Sequence, residues 1–179
     1  MNTFKDRISK LKESVKGFAK LERILAVICI FIPLILLIFD SWTLRESISK
    51  YADMNNNHIY VFLLSIAGMM FVVNGTINNK KWYNIVLGIS LMGVALFHWK
   101  DFEWTHIIFA GIFFLGSAIV ISYYTSKKQY WIACTIAIII VLSLLAHFWL
   151  HWISLFAAEW IALGIIGIQY LLESYGVLD

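Results

Sequence analysis

The sequence predicts an all-α, polytopic membrane protein, a bundle of six transmembrane helices preceded by an amphipathic helix at the membrane surface. Three observations predict it. Of the 179 residues 61% are hydrophobic and 14% charged, against about 45–50% and about 25% in an average soluble domain. The apolar residues are gathered into runs that approach the roughly 20 residues a helix needs to cross the hydrocarbon. Lys and Arg collect in alternate connections between those runs, the asymmetry that orients membrane helices. The composition excludes an ordinary soluble globule, a disordered chain and a disulfide scaffold. The two cysteines, Cys29 and Cys134, both lie within apolar runs and are expected to pack as small hydrophobes.

Residues 1–20 form the first unit. Phe4, Ile8, Leu11, Val15 and Phe18 recur at spacings of 4, 3, 4 and 3, one stripe of a helix. Lysines fill the other faces. Such a helix suits the anionic cytoplasmic leaflet, its apolar stripe in the interface and its cations against lipid headgroups.

Residues 21–175 form the transmembrane unit, with spans expected at 21–39, 58–75, 82–97, 106–124, 130–146 and 152–172. The first run exceeds the 7–15 apolar residues of a signal peptide and lacks a small-x-small cleavage site, so it is read as a retained helix. The third is the shortest. The last two spans form one apolar stretch of more than 40 residues, interrupted only by His147 and His151. As one helix it would measure roughly 60 Å, twice the bilayer core, so a hairpin is expected near those histidines. Ten basic residues lie before the first span and in the loops after the second and fourth. Only Arg45, Lys50 and Lys100 lie in the opposite loops. This places both termini in the cytoplasm, in the inner membrane if the cell is prokaryotic. Gly88 and Gly93, Gly111 and Gly116, and Gly164 and Gly167 are candidates for close helix contact.

The candidate functional residues fall on one membrane face. His58, His98, His106, His147 and His151 all lie at outer helix ends or in outer loops, with Asp40, Ser47, Ser49, Arg45, Asp53, Asp101 and Glu103. Histidines brought together there are expected to titrate jointly near neutral pH. His147-x3-His151 places two imidazoles one turn apart if helical, and His98-x2-Asp101-x4-His106 brackets the adjacent loop. Three of these histidines with a carboxylate-oriented water would form a catalytic zinc set. The alternative reading is a hydrogen-bonded, titrating cluster without metal. Glu159 is a separate signal, a carboxylate inside an apolar run that should face a partner or a wet cavity. An outer histidine or Arg45 is the expected partner.

The stretch Leu44-Arg-Glu-Ser-Ile-Ser-Lys-Tyr51, with Asn74-Gly75, Trp82-Tyr-Asn84, Gly93-Val-Ala-Leu-Phe97, Asp101 and His106-Ile-Ile-Phe-Ala-Gly-Ile-Phe-Phe114, resembles uncharacterised prokaryotic multi-pass proteins grouped with the Frag/DRAM-like membrane proteins. That resemblance implies a six-span bundle and no agreed activity. More distantly the chain resembles the CREST proteins, the alkaline ceramidases, PAQR receptors and relatives, which are seven-span hydrolases with bound zinc. On that resemblance Ser47 or Ser49, Asp101 with His106 or His98, and His147 with His151 would correspond to the Ser, Asp and His set. The chain departs from it in having six spans and in an HxxxH that straddles a turn.

Three function classes follow. The outer polar cluster binds a lipid headgroup, a small ligand or a protein partner. Alternatively, a zinc-dependent intramembrane hydrolase acts on lipid, with His147, His151 and His98 or His106 on the metal and Asp101 positioning water. Or an ion or proton conductor, or an oligomeric pore, uses Glu159 and the histidines. The partners expected are the bilayer, anionic lipids under the N-terminal helix, and a second copy or another membrane protein. Nucleic-acid recognition has no support, because the basic residues are divided between a tail and two short loops.

Overall fold

The computed structural model describes residues 23–24, 26–77, 81–124 and 129–175. The amphipathic segment expected over residues 1–20 lies outside them. The described residues are all helical apart from their connections. Six α-helices and one 3-10 helix follow in order: α1 (Ala26–Phe39), the 3-10 helix (Ser49–Asp53), α2 (Asn57–Ile77), α3 (Tyr83–Leu96), α4 (Glu103–Tyr124), α5 (Tyr130–Phe148) and α6 (Leu155–Ser174). Four of them, α2, α4, α5 and α6, are long and apolar enough to cross a membrane. The other two are shorter: α3 has 14 residues, about 21 Å at 1.5 Å per residue.

Helices adjacent in sequence pack side by side from α2 to α6, and α1 lies against α6. At that contact Trp160 Nε1 donates to the Ile30 carbonyl at 3.4 Å and Arg23 Nη2 to the Ser174 carbonyl at 2.9 Å. The core joins α2, α4 and α6 through aromatic rings. Phe71 meets Phe113 edge-on at 5.6 Å and Tyr170 at 4.5 Å between centroids. On their other faces α4 and α5 leave apolar side chains such as Ile119 and Leu142 uncovered, as lipid-facing helices do.

The hairpin between α5 and α6 falls where the apolar stretch required it, over 149–154. Neither Gly nor Pro makes it. His151 adopts φ 53°, and Ser154 caps α6 by accepting from the Ala157 amide at 3.2 Å, satisfying one of the orphan donors of a helix start.

Only some of the glycines mark close contacts. A Cβ on Gly88 would overlap the Gly68 carbonyl oxygen, and one on Gly93 or Gly167 would lie 2.6 Å from the Phe109 ring or from Ile30 Cγ1. At Gly116 the nearest atom is a Leu87 methyl at 3.0 Å. At Gly111 and Gly164 a Cβ meets nothing within 4 Å. The expectation of close contact is therefore corrected at Gly111 and Gly164, which face open space. Gly68 and Gly75 of α2, absent from the expected set, complete the α2–α3 contact.

Candidate functional site

The connection from α1 to α2 is a packed cap over one end of the bundle. Ser41 and Trp42 turn the chain out of α1 with φ 53° and 62°, and the Trp42 amide returns to the Leu37 carbonyl at 2.7 Å. Arg45 then clasps Asp40 through Nε at 2.6 Å and Nη2 at 3.2 Å. That hydrogen bond, with the carboxylate's charge, raises the guanidinium pKa above its ordinary value. Tyr51 is fully buried, and its hydroxyl donates to the Thr43 carbonyl at 2.9 Å.

Backbone hydrogen bonds hold this cap to α6. The Phe156 amide donates to the Glu46 carbonyl at 2.8 Å, and the Ile48 amide donates to Glu159 Oε2 at 2.5 Å. The partner expected for Glu159 was an outer histidine or Arg45, and the structure corrects this. Arg45 is taken locally by Asp40, five residues away, so the buried carboxylate meets backbone N–H groups of the cap instead. Such donors offset part of the cost of burying a carboxylate.

Between the cap, α4, α5 and α6 lies a cavity of about 430 Å³. Its walls are apolar, among them Ile107, Ala110, Phe114, Val141, Leu144 and Phe148. Ser47, Ser49, Lys50, Trp99, Glu103, His106 and Glu159 supply the polar part of the lining. A smaller cavity of about 30 Å³, lined in part by Ser49, Tyr60, His106 and Glu159, continues inward. That is room for one or two waters.

The candidate residues divide between this cavity and other duties. Ser47 and Ser49 are at the cavity and bonded to one another, Oγ to Oγ, at 2.9 Å. His106 is buried, its Nδ1 donating to the Phe97 carbonyl at 2.9 Å. His98 instead pairs through Nε2 with Asp53 at 3.0 Å, and its Nδ1 is 3.7 Å from Asp101. Burial alone would raise the Asp53 carboxyl, but Lys100 at 2.8 Å and His98 outweigh it and hold its pKa below the ordinary value. His58 is exposed at the start of α2. Asp101 is largely exposed, away from the cavity lining.

The metal expectation at His98, His106, His147 and His151 finds no support among the described residues. His147 belongs to the end of α5, and its Nδ1 donates to the Ile153 carbonyl at 3.0 Å, fastening the hairpin. His151 lies beyond the helix end. The two rings are 6.5 Å apart and nearly perpendicular. Among the described residues no three His, Cys, Asp or Glu side chains converge where they could hold a metal ion. The five histidines share one end of the bundle, but each of His98, His106 and His147 has its own local acceptor. A buried or half-buried imidazole takes the nearest acceptor it can reach.

A second polar cluster, not expected from the sequence, lies at the opposite end of the helices. There Lys81 Nζ pairs with Glu173 Oε2 at 2.6 Å, Gln169 Nε2 donates to Glu173 Oε1 at 3.2 Å, and Asn84 donates to Asn74 at 2.8 Å. Ser117 and Gln169 are both buried and line a cavity of about 20 Å³ with Glu173. The available signal was the row Glu159, Ile166 and Glu173, seven apart, which is one face of a helix. Polar residues at 74, 84, 117 and 169 inside apolar runs pointed the same way.

A family model described as a family of unknown function (DUF7103) matches residues 31–174. That match supports an uncharacterised family and does not extend to the Frag/DRAM-like or CREST groups. No curated protein and no solved structure matches the chain.

Proposed function

The chain belongs to the DUF7103 family of unknown function, and we propose that it is a six-span membrane protein whose outer cavity holds an amphipathic, lipid-like ligand. The observation that carries this reading is the cavity of about 430 Å³. Its volume is in the range that encloses a drug-sized molecule, and apolar walls with a few convergent polar groups are the usual make-up of such sites. An apolar chain lies along α4 and α5, and a polar head meets Ser47, Ser49, Lys50 and Trp99. Conduction has less support: Phe71, Phe113 and Leu163 fill the bundle between the two polar ends.

In this reading α1 and α3 complete the six spans, both termini are cytoplasmic, and residues 1–20 rest on the anionic leaflet. The ten-to-three division of Lys and Arg supports the orientation. Single cysteines at Asn56 and Asn79, on a chain without Cys29 and Cys134, are expected to label from opposite sides of the membrane. Labelling from one side only would overturn the six-span arrangement.

Gly111 provides the test of the ligand site. It lines the cavity, and a side chain there meets open space. Gly111→Leu is therefore expected to fill the cavity while keeping the wild-type thermal midpoint in detergent. It should weaken binding of a fluorescent single-chain amphiphile by about tenfold or more, the equivalent of about 1.4 kcal/mol. Equal binding by the two proteins would remove the cavity from consideration.

A further inference from the structure

We propose that the ligand of this cavity carries a cationic ammonium head, received by the Glu159 carboxylate. The proposal rests on the ligand-binding reading above and adds the chemistry of the head.

The charge that lacks a counterpart at the polar end of the cavity is negative. Glu159 lies in the second turn of α6, is only half-buried, and lines both the large cavity and its smaller inward extension. The Ile48 amide engages its Oε2, and it forms no ion pair with a Lys, Arg or His among the described residues. The Lys and Arg side chains at this end of the bundle are each committed to another carboxylate. Arg45 holds Asp40 at 2.6 Å, Lys50 holds Glu46 at 2.6 Å and Lys100 holds Asp53 at 2.8 Å. A carboxylate inside a membrane helix ordinarily faces a countercharge or a wet cavity, and a backbone amide supplies a dipole but no charge.

The other polar groups of the lining do not supply that countercharge. The neutral His106 ring has spent its N–H on the Phe97 carbonyl and has only a lone pair left to offer. Ser47 and Ser49 bond to one another, and the Trp99 indole nitrogen is closed off from the cavity. Glu103, exposed in the first turn of α4, adds a second carboxylate to the same lining. With Lys50 matched by Glu46, the lining carries an excess of negative charge. An ammonium brings a compact positive charge together with N–H donors, and charge-assisted bonds to a carboxylate are among the strongest available. The apolar chain behind it lies against Ile107, Phe114, Val141 and Phe148.

The experiment measures displacement of a fluorescent single-chain amphiphile from full-length protein in a non-ionic detergent. The competitors share one chain length: dodecylamine, the neutral dodecanol and dodecanoate. The proteins are wild type, Glu159→Gln, Glu103→Gln and Gly111→Leu, each first checked for its thermal midpoint. Glu159→Gln keeps an acceptor for the Ile48 amide and removes the charge. Wild type is expected to bind dodecylamine about tenfold more tightly than dodecanol, with dodecanoate the weakest. Glu159→Gln should bring the amine-to-alcohol ratio towards one and leave the affinity for dodecanol unchanged. Glu103→Gln alters an exposed charge and should keep most of the preference. A lead for dodecanoate, or a preference for the amine that survives in Glu159→Gln, overturns the proposal. If Glu159→Gln loses its midpoint, the wild-type ratio decides by itself. If dodecanol binds as tightly as dodecylamine and Gly111→Leu weakens both, the ammonium head is wrong while the cavity reading stands. If none of the competitors binds, both fall.

Discussion

Gly88→Ala is expected to cost the folded protein about 2–3 kcal/mol, read as a lowered thermal midpoint in detergent and a reduced yield of monodisperse protein. The reason is the contact between α2 and α3. A methyl on Gly88 would overlap the Gly68 carbonyl oxygen and come within 2.8 Å of the Val72 amide nitrogen. Both are backbone atoms of α2, so no rotamer change relieves the clash and the helices must separate. Gly68→Ala meets the same surface from the other side, 2.7 Å from the Gly88 carbonyl oxygen. The double variant should therefore cost less than the sum of the two, because one separation accommodates both methyls. Gly111→Ala and Gly164→Ala supply the contrast. Each gains helix propensity of about 0.5–1 kcal/mol with no clash. A wild-type midpoint for Gly88→Ala would show that α2 and α3 do not meet through these glycines.

Glu159→Ala is the second large effect. It removes the acceptor of the Ile48 amide, one of the bonds by which the cap grips α6. The amide would be left without its partner in a half-closed site, at a cost of about 1–3 kcal/mol. Hydrogen exchange at Ile48 should accelerate while the exchange of amides in the middle of α2 stays near wild type, because the loss is local to the cap. Glu159→Gln keeps an acceptor of the same shape and should show a smaller acceleration, since a neutral acceptor is weaker than a carboxylate. Unchanged exchange in Glu159→Ala would mean that Phe156 and the Glu46 carbonyl hold the cap alone.

Both effects depend on pairings that no spacing rule contains. Gly88 was legible as a small residue within an apolar run, but its partner Gly68 was not. The two face each other only because α2 and α3 cross at that level. Glu159 was legible as a carboxylate with a purpose, and the expected partner was wrong because opposite charge was sought. The structure offers a backbone amide from a cap whose fold depends on Arg45 binding Asp40. His147 and His151 have the spacing of a metal pair on a continuous helix. The hairpin ends α5 at Phe148, and with the helix goes the shared face.

The sequence by itself determined the helical class, the apolar segments, the hairpin that the long apolar stretch required, and the gathering of histidines at one end. These are properties of residues taken along the chain. The cost of placing apolar or charged groups in water or hydrocarbon is set residue by residue, and run length and charge position express it directly. The tertiary structure alone decided which glycines touch, which acceptor each histidine takes, where Glu159 binds, and that a cavity opens beside Trp99 and Lys50. Hydrogen bonds and steric contacts act over only a few ångströms, so their partners are chosen by which helices lie side by side.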